Sequence, residues 1–142
     1  LMGVYVMHEW LTFGAHRYRR EGDLLIIETH GDVHLPDMEQ LLDLLKDLIS
    51  AHGYCLVFGD IRGGFSIDRE SRRLALDGFL KEHAKHYANA IIGASPLSRG
   101  VVALVMGASR VLFGQANYIQ FFSTEHDARA WLDLQRVRFR KK

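Results

Sequence analysis

The chain of 142 residues has one cysteine, Cys55. An intrachain disulfide is excluded, and the setting of Cys55 within an apolar run makes it a buried, inert thiol rather than a reactive one. Such usage suits a reducing compartment. Long hydrophobic runs are missing as well. Nothing approaches the roughly 20 apolar residues that cross a bilayer, and the N-terminal residues lack the basic segment and unbroken apolar core of a secretory signal, so a cytoplasmic location is expected. No sign of charge dominates: 18 Lys and Arg face 17 Asp and Glu, a net charge of +1, so no global field calls for nucleic acid as a partner. Recognisable catalytic chemistry is the last absence. There is no Gly-x-Ser-x-Gly elbow, the run GASPLSRG around Ser95 and Ser98 is neither a phosphate-binding loop nor a dinucleotide fingerprint, and no His or carboxylate pair is marked as acid and base. A non-enzymatic protein is expected, with an unrecognised hydrolase as the enzymatic alternative. The eight histidines include the pairs His30 with His34 and His83 with His86, but the first spans a turn and the second carries no Cys or carboxylate motif. Neither metal nor cofactor is expected.

What is present is the balance of a globular protein, 48% hydrophobic and 25% charged, long enough for one domain over residues 1–142 and too short for two. Residues 4–14, VYVMHEWLTFG, mix strand formers without steady alternation, so the segment 1–15 is placed only as extended or edge structure. In HRYRREGDLLIIETHGD the turn Glu21-Gly22-Asp23 closes a hairpin, and residues 24–27 read as a strand covered on both faces. Pro36 suits a first helical turn. Met38, Leu41, Leu42, Leu45, Leu48 and Ile49 then recur at steps of three and four, an amphipathic helix that Gly53 ends. A strand over residues 54–59 leads to Asp60, the pair Gly63-Gly64, and Asp68 as N-cap of a second helix. That helix carries Leu76, Phe79, Leu80 and His83 on one face and reaches about His86. Residues 89–95, NAIIGAS, form a further strand. Ser98 is expected to cap a third helix starting near Gly100, with Val101, Leu104, Val105, Ala108, Val111 and Leu112 as its apolar stripe and Gly114 at its end. A last strand over 118–122 precedes a terminal helix opened by Thr124 and Asp127, with Ala128, Trp131 and Leu132 facing inward. The order ββαβαβαβα is that of an α/β fold, a mostly parallel or mixed sheet of about five strands flanked by about four helices. Residues 136–142 hold five basic side chains and no acidic one, a tail that suits a solvated helix end or weak peripheral contact with anionic lipid.

Several strings agree with that order. LVFGDIRGGFSID is a strand ending in an acidic residue, then a loop and a short apolar-Asp entry to the next helix; NAIIGAS opens the fourth unit; FFSTEHDARAWL closes the chain. Over residues 16–135 this resembles the STAS domain, and in particular the bacterial SpoIIAA-like (STAS/SEC14-related) family. The resemblance implies a single STAS-like domain with a regulatory, protein-binding role and, through its SEC14-related members, a carrier of a lipid-like ligand as the alternative. It also implies a phosphorylation switch on a serine directly after the aspartate that opens the second helix, within an Asp-Ser-Ser-Gly pattern. Here the run is Asp68-Arg69-Glu70-Ser71. Arg69 occupies the acceptor position, Ser66 and Ser71 lie near without filling it, and the switch is not carried over.

Ligands of open α/β sheets sit beyond the carboxyl ends of the strands, facing helix N-termini. Two such ends are readable. One holds Asp60, Arg62, Gly63, Gly64 and Ser66, followed by Asp68 and Arg69; the other holds Ser95, Ser98 and Arg99. Guanidinium groups, hydroxyls and mobile glycines suit a protein partner or a small anionic ligand. The plainer alternative is that Asp60 and Ser98 are local caps and the arginines are solvated. The helix over 101–112 with Phe113, followed by Tyr118, Phe121 and Phe122, fits an ordinary core, an apolar pocket or a subunit interface. A sheet edge left bare near the N-terminus would suit pairing with a second copy, a homodimer.

Overall fold

The computed structural model describes residues 9–114 and 118–141. Residues 1–8 of the loosely placed N-terminal segment, Lys142 of the basic end and the Phe113 side chain lie outside the described residues. The main sheet has the spatial order β1 (Leu11–Phe13), β2 (His16–Glu21), β3 (Leu24–Glu28), β5 (Cys55–Asp60), β7 (Tyr87–Ile92), β8 (Ile119–Phe122). The first three strands are antiparallel, and from β3 onward every neighbour is parallel. The expected hairpin is present, with Glu21 opposite Leu24 across Gly22 and Asp23. Parallel neighbours demand long crossovers. These are supplied by α1 (Leu35–His52), by a helical stretch beginning with α2 (Arg69–Ala75), and by α4 (Pro96–Phe113), while α5 (Glu125–Arg140) follows β8.

The sheet has six strands where about five are expected, because the loosely placed N-terminal segment contributes β1 as an edge strand. A separate two-stranded parallel sheet, β4 (Gly31–Val33) with β6 (Phe65–Ile67), was not expected at all. Three-residue strands are too short to show an alternating pattern. The helix opened by Asp68 runs without a gap to His86 as expected, but its type changes: α2 widens into a π-helical segment, Leu76–Leu80, before the single turn α3 (Lys81–His83) and a 3-10 turn, Ala84–His86.

Two expectations about α4 are corrected. The helix starts at Pro96, and its N-cap is Ser95, whose hydroxyl accepts from the Ser98 amide; Ser98 is a buried residue inside the first turn. The inward face is Ser98, Val102, Val105 and Ser109, whereas Leu104, Val111 and Leu112 of the expected stripe stand 62%, 83% and 61% exposed. Only Arg99 and Arg110 are charged in this helix. Periodicity assigns apolar residues to the buried side, and here Ser98 and Ser109 face inward while Leu104, Val111 and Leu112 face outward, so it picks the wrong stripe.

Side chains alternate across the sheet along β3, β5 and β7. Leu25, Ile27, Cys55, Val57, Tyr87 and Ile91 face α1, α4 and Phe79; Leu24, Ile26, Leu56, Phe58, Ala88, Ala90 and Ile92 face α5 through Ala128, Leu132 and Phe139. Each fully buried Leu, Ile, Val or Phe contributes about 1.5–3 kcal/mol. Cys55 is wholly buried, and burial pushes its thiol well above the usual range.

The basic end is not a loose tail. Helix α5 runs to Arg140, and Arg136 donates through Nε and Nη2 to the two Asp23 oxygens at 2.7 and 2.8 Å. Tyr54 donates its hydroxyl to Asp23 Oδ2 at 2.6 Å and accepts from Arg140 Nε at 3.1 Å. Burial pulls the Asp23 carboxyl upward, but the hydrogen bonds from Arg136 and Tyr54 outweigh it and hold the group below the usual carboxylate range. This cluster pins α5 to the N-terminal ends of β3 and β5.

Candidate functional site

At the opposite end of the sheet, β5 delivers Asp60 to the surface. Its carboxylate accepts from the Arg62 amide, from Arg62 Nε and from Arg62 Nη2, the last at 2.6 Å. The Asp60 carboxyl is held below its usual value first by these Arg62 side-chain bonds. The Arg62 guanidinium itself is 71% exposed. Gly63 follows where no side chain fits: a Cβ there would lie 2.6 Å from the Thr29 carbonyl oxygen and 2.7 Å from His30 Nδ1. Gly64 closes the loop, its carbonyl accepting from the Gly31 amide at 3.0 Å and from the Thr29 hydroxyl at 2.7 Å.

Beyond the loop, Ser66 on β6 donates to Asp32 on β4. The β3–β4 connection is braced from below by His16, which is buried. Its Nδ1 accepts the His30 amide at 2.9 Å, so Nε2 carries the proton and donates to the Asp32 carbonyl at 2.9 Å. Asp68 accepts from the Ser71 amide at 2.7 Å, and this bond lowers its carboxyl. Arg69 is exposed in the first turn of α2, lining a shallow surface depression with Glu70, Arg73 and Asp77.

The two expected rims meet in part. Ser98 Oγ reaches the Phe65 carbonyl at 3.4 Å, and Gly93 lies directly under Arg62, where a Cβ would come within 2.1 Å of the arginine Cγ. Ser95 belongs to the same corner through its bond with Ser98. Arg99 does not join them in a shared anion cradle: its guanidinium sits 4.6 Å from the Phe121 ring centroid. The rim is thus largely self-satisfied, with Arg62 on Asp60, Ser66 on Asp32, and Arg99 on Phe121.

Beneath the rim lies an apolar pocket, one of the alternatives the sequence left open for the helix over 101–112. Between the sheet and the α1, α2 and α4 side is a cavity of about 130 Å³, lined among others by Val57, Gly59, Phe65, Phe79, Asn89 and Val105. Gly59 and Asn89 occupy inward positions of β5 and β7, where the alternation of Cys55 with Val57 and of Tyr87 with Ile91 calls for apolar side chains. Asn89 Nδ2 donates to the Tyr87 hydroxyl at 2.9 Å, while no protein group reaches its buried Oδ1. The signal for this residue was a polar side chain set between Tyr87 and Ile91 in an otherwise apolar strand. Thr29, Phe65 and Ile67 line the same cavity and also hold the rim loop. On β6 the alternation is direct: Phe65 and Ile67 line the cavity, and Ser66 between them bonds to Asp32.

A sheet with a parallel centre, an antiparallel N-terminal flank and helices on both faces is the mixed α/β class expected from the sequence. The chain belongs to the SpoIIAA-like family, whose profile matches residues 24–133. Among solved structures it is similar to an uncharacterised protein of the DUF3478 family with a SpoIIAA-like fold from Shewanella loihica PV-4, at 21% identity and a TM-score of 0.57, covering 83% of this chain and 92% of that one. It is also similar to the anti-sigma factor antagonist SpoIIAA in its unphosphorylated form, at 17% identity and a TM-score of 0.52, covering 87% and 98%. No curated protein matches the chain significantly. At such identities the likeness is one of fold. No described helix is long and apolar enough to cross a membrane.

Proposed function

We propose that the chain is a non-catalytic STAS-type binding domain that takes a small, largely apolar ligand into its cavity and presents the occupied state to a protein partner at the rim above. The observation that carries this reading is the double use of β6. Phe65 and Ile67 line the cavity while Ser66 between them is tied to Asp32 at the surface, so a ligand pressing on the first two acts on the strand that carries the Gly63-Gly64 loop. Thr29 adds a second link, lining the cavity and donating to Gly64. Apolar walls with a few polar groups are the usual make-up of small-molecule sites.

Toluene is a suitable probe. In a proton–nitrogen NMR titration it should shift the amides of Val57, Phe79 and Val105 and, through β6, those of Gly64 and Ser66. Val105→Phe, which fills the cavity, should abolish both sets of shifts. If toluene leaves the wild-type spectrum unchanged up to its solubility, the cavity reading falls. If shifts stop at the cavity wall, the coupling to the rim falls.

A second reading, a small anion held at the rim, is favoured by the exposure of the Arg62 guanidinium. Such an anion competes with Asp60 for the same donors. Phosphate should then raise the melting temperature of the wild type more than that of Arg62→Ala. Equal responses in the two would remove this reading.

A further inference from the structure

Resting on the cavity reading above, we propose that the ligand is an uncharged molecule of about benzene size bearing one hydroxyl, recognised by the Asn89 amide at the floor of the cavity. Three observations combine. The first is size: an engineered apolar cavity of roughly 150 Å³ accepts benzene, and this one measures about 130 Å³, enough for a small ring or short chain and too little for a diacyl lipid.

The second is charge. The polar groups lining the cavity are Thr29, Tyr87 and Asn89, and no Lys, Arg, His, Asp or Glu among the described residues lines it. A carboxylate or phosphate placed there would be buried with no cation beside it, which is far costlier than burying a neutral group. The Thr29 hydroxyl is already committed to the Gly64 carbonyl.

The third is the unpartnered amide. Asn89 Nδ2 is taken by the Tyr87 hydroxyl, and the buried Oδ1 meets no donor. Its diagonal neighbour on β5 is a glycine that also lines the cavity: a Cβ on Gly59 would lie 3.4 Å from Asn89 Oδ1. A buried acceptor without a partner is rare and costly. A ligand hydroxyl both donates and accepts, so it satisfies the amide in either orientation about its Cβ–Cγ axis.

Phenol, toluene and benzoate test this, since the first two differ by a hydroxyl against a methyl and the third adds charge. In an apolar cavity without a hydrogen-bond partner, toluene binds better than phenol because the hydroxyl is stranded. Here wild-type protein should bind phenol at least as tightly as toluene by calorimetry or NMR titration, and should not bind benzoate at tenfold higher concentration. In Asn89→Leu, phenol affinity should fall at least tenfold while toluene is retained. Asn89→Val, a better strand former, gives the same comparison if the leucine variant does not fold. Toluene binding with phenol weaker in the wild type, phenol unaffected by both substitutions, or benzoate binding as well as phenol would each overturn the proposal while leaving the cavity reading intact. Binding of neither phenol nor toluene would remove both.

Discussion

The two faces of the one sheet are packed in opposite ways. On the α5 face, Ala88 and Ala90 of β7 meet Ala128 of α5, all three with no exposed surface, and Leu132 and Phe139 complete a dense layer. Small residues at the contact let helix and sheet approach closely, and the Asp23, Tyr54, Arg136 and Arg140 cluster clamps that arrangement at one end. The other face is covered by three helical segments, carries Gly59 and Asn89 at inward positions, and is hollow. One face is filled, and the other leaves room between the sheet and its helices. This division puts the adaptable volume directly under the charged rim.

The largest test of the contrast is to add volume to each face. Ala128→Leu should destabilise the protein by about 2–3 kcal/mol, because a full layer has no slack. Val105→Leu, pointing its extra carbon at the cavity, should cost less than about 1 kcal/mol. Denaturant midpoints of the two variants measure the difference, and equal losses would dissolve the distinction between the faces.

Next in size is the clamp. Asp23→Asn should cost about 1.5–3 kcal/mol at neutral pH, the usual worth of hydrogen bonds to a charged group. The Asp23 carboxyl titrates below its ordinary value in the folded chain. Its stabilisation is therefore fully present above the unfolded value near 3.9 and is lost as pH falls through the lower folded value. The stability of the wild type should decline below about pH 5, and the Asn variant should lack that part of the decline. Asp60 is shifted in the same direction, but its partner Arg62 is largely exposed and the pair is screened, so Asp60→Asn should change acid stability little.

The smallest effect is expected at Gly59. A Cβ there meets Asn89 Oδ1 at 3.4 Å and Ile91 Cγ1 at 3.6 Å, ordinary contacts, at a strand position without a left-handed φ. Gly59→Ala should raise stability by about 0.4–1 kcal/mol, while weakening phenol binding because Gly59 lines the cavity and the added methyl takes up part of it. A variant that is less stable than wild type would show that the hollow face is already full.

Much of this was legible in the chain itself. The helix over Leu35–His52 follows from Met38, Leu42, Leu45 and Leu48 at helical spacing, the N-caps Asp68 and Thr124 from local chemistry, and the inward Ala128 and Leu132 from the same periodicity. These are short-range matters: a cap acts over three residues and a stripe over one or two turns. The STAS-like order follows from them, because a helix between two strands leaves few ways to cross. The face of α4 was not legible, since Ser98 and Ser109 face inward and Leu104, Val111 and Leu112 outward, against the rule that periodicity uses. Nor was the company kept by single residues. Asp23 meets Arg136 at a separation of 113 residues, Ser66 meets Asp32 at 34, and Ser98 meets Phe65 at 33. Asn89 reads locally as the polar start of a strand. Only the placing of β5 beside β7 sets it at the cavity wall with its Oδ1 buried and without a hydrogen-bond partner in the protein. Periodicity encodes which side chains share a face, but the volume left between faces depends on how distant elements pack, and that volume is what the tertiary structure alone decided.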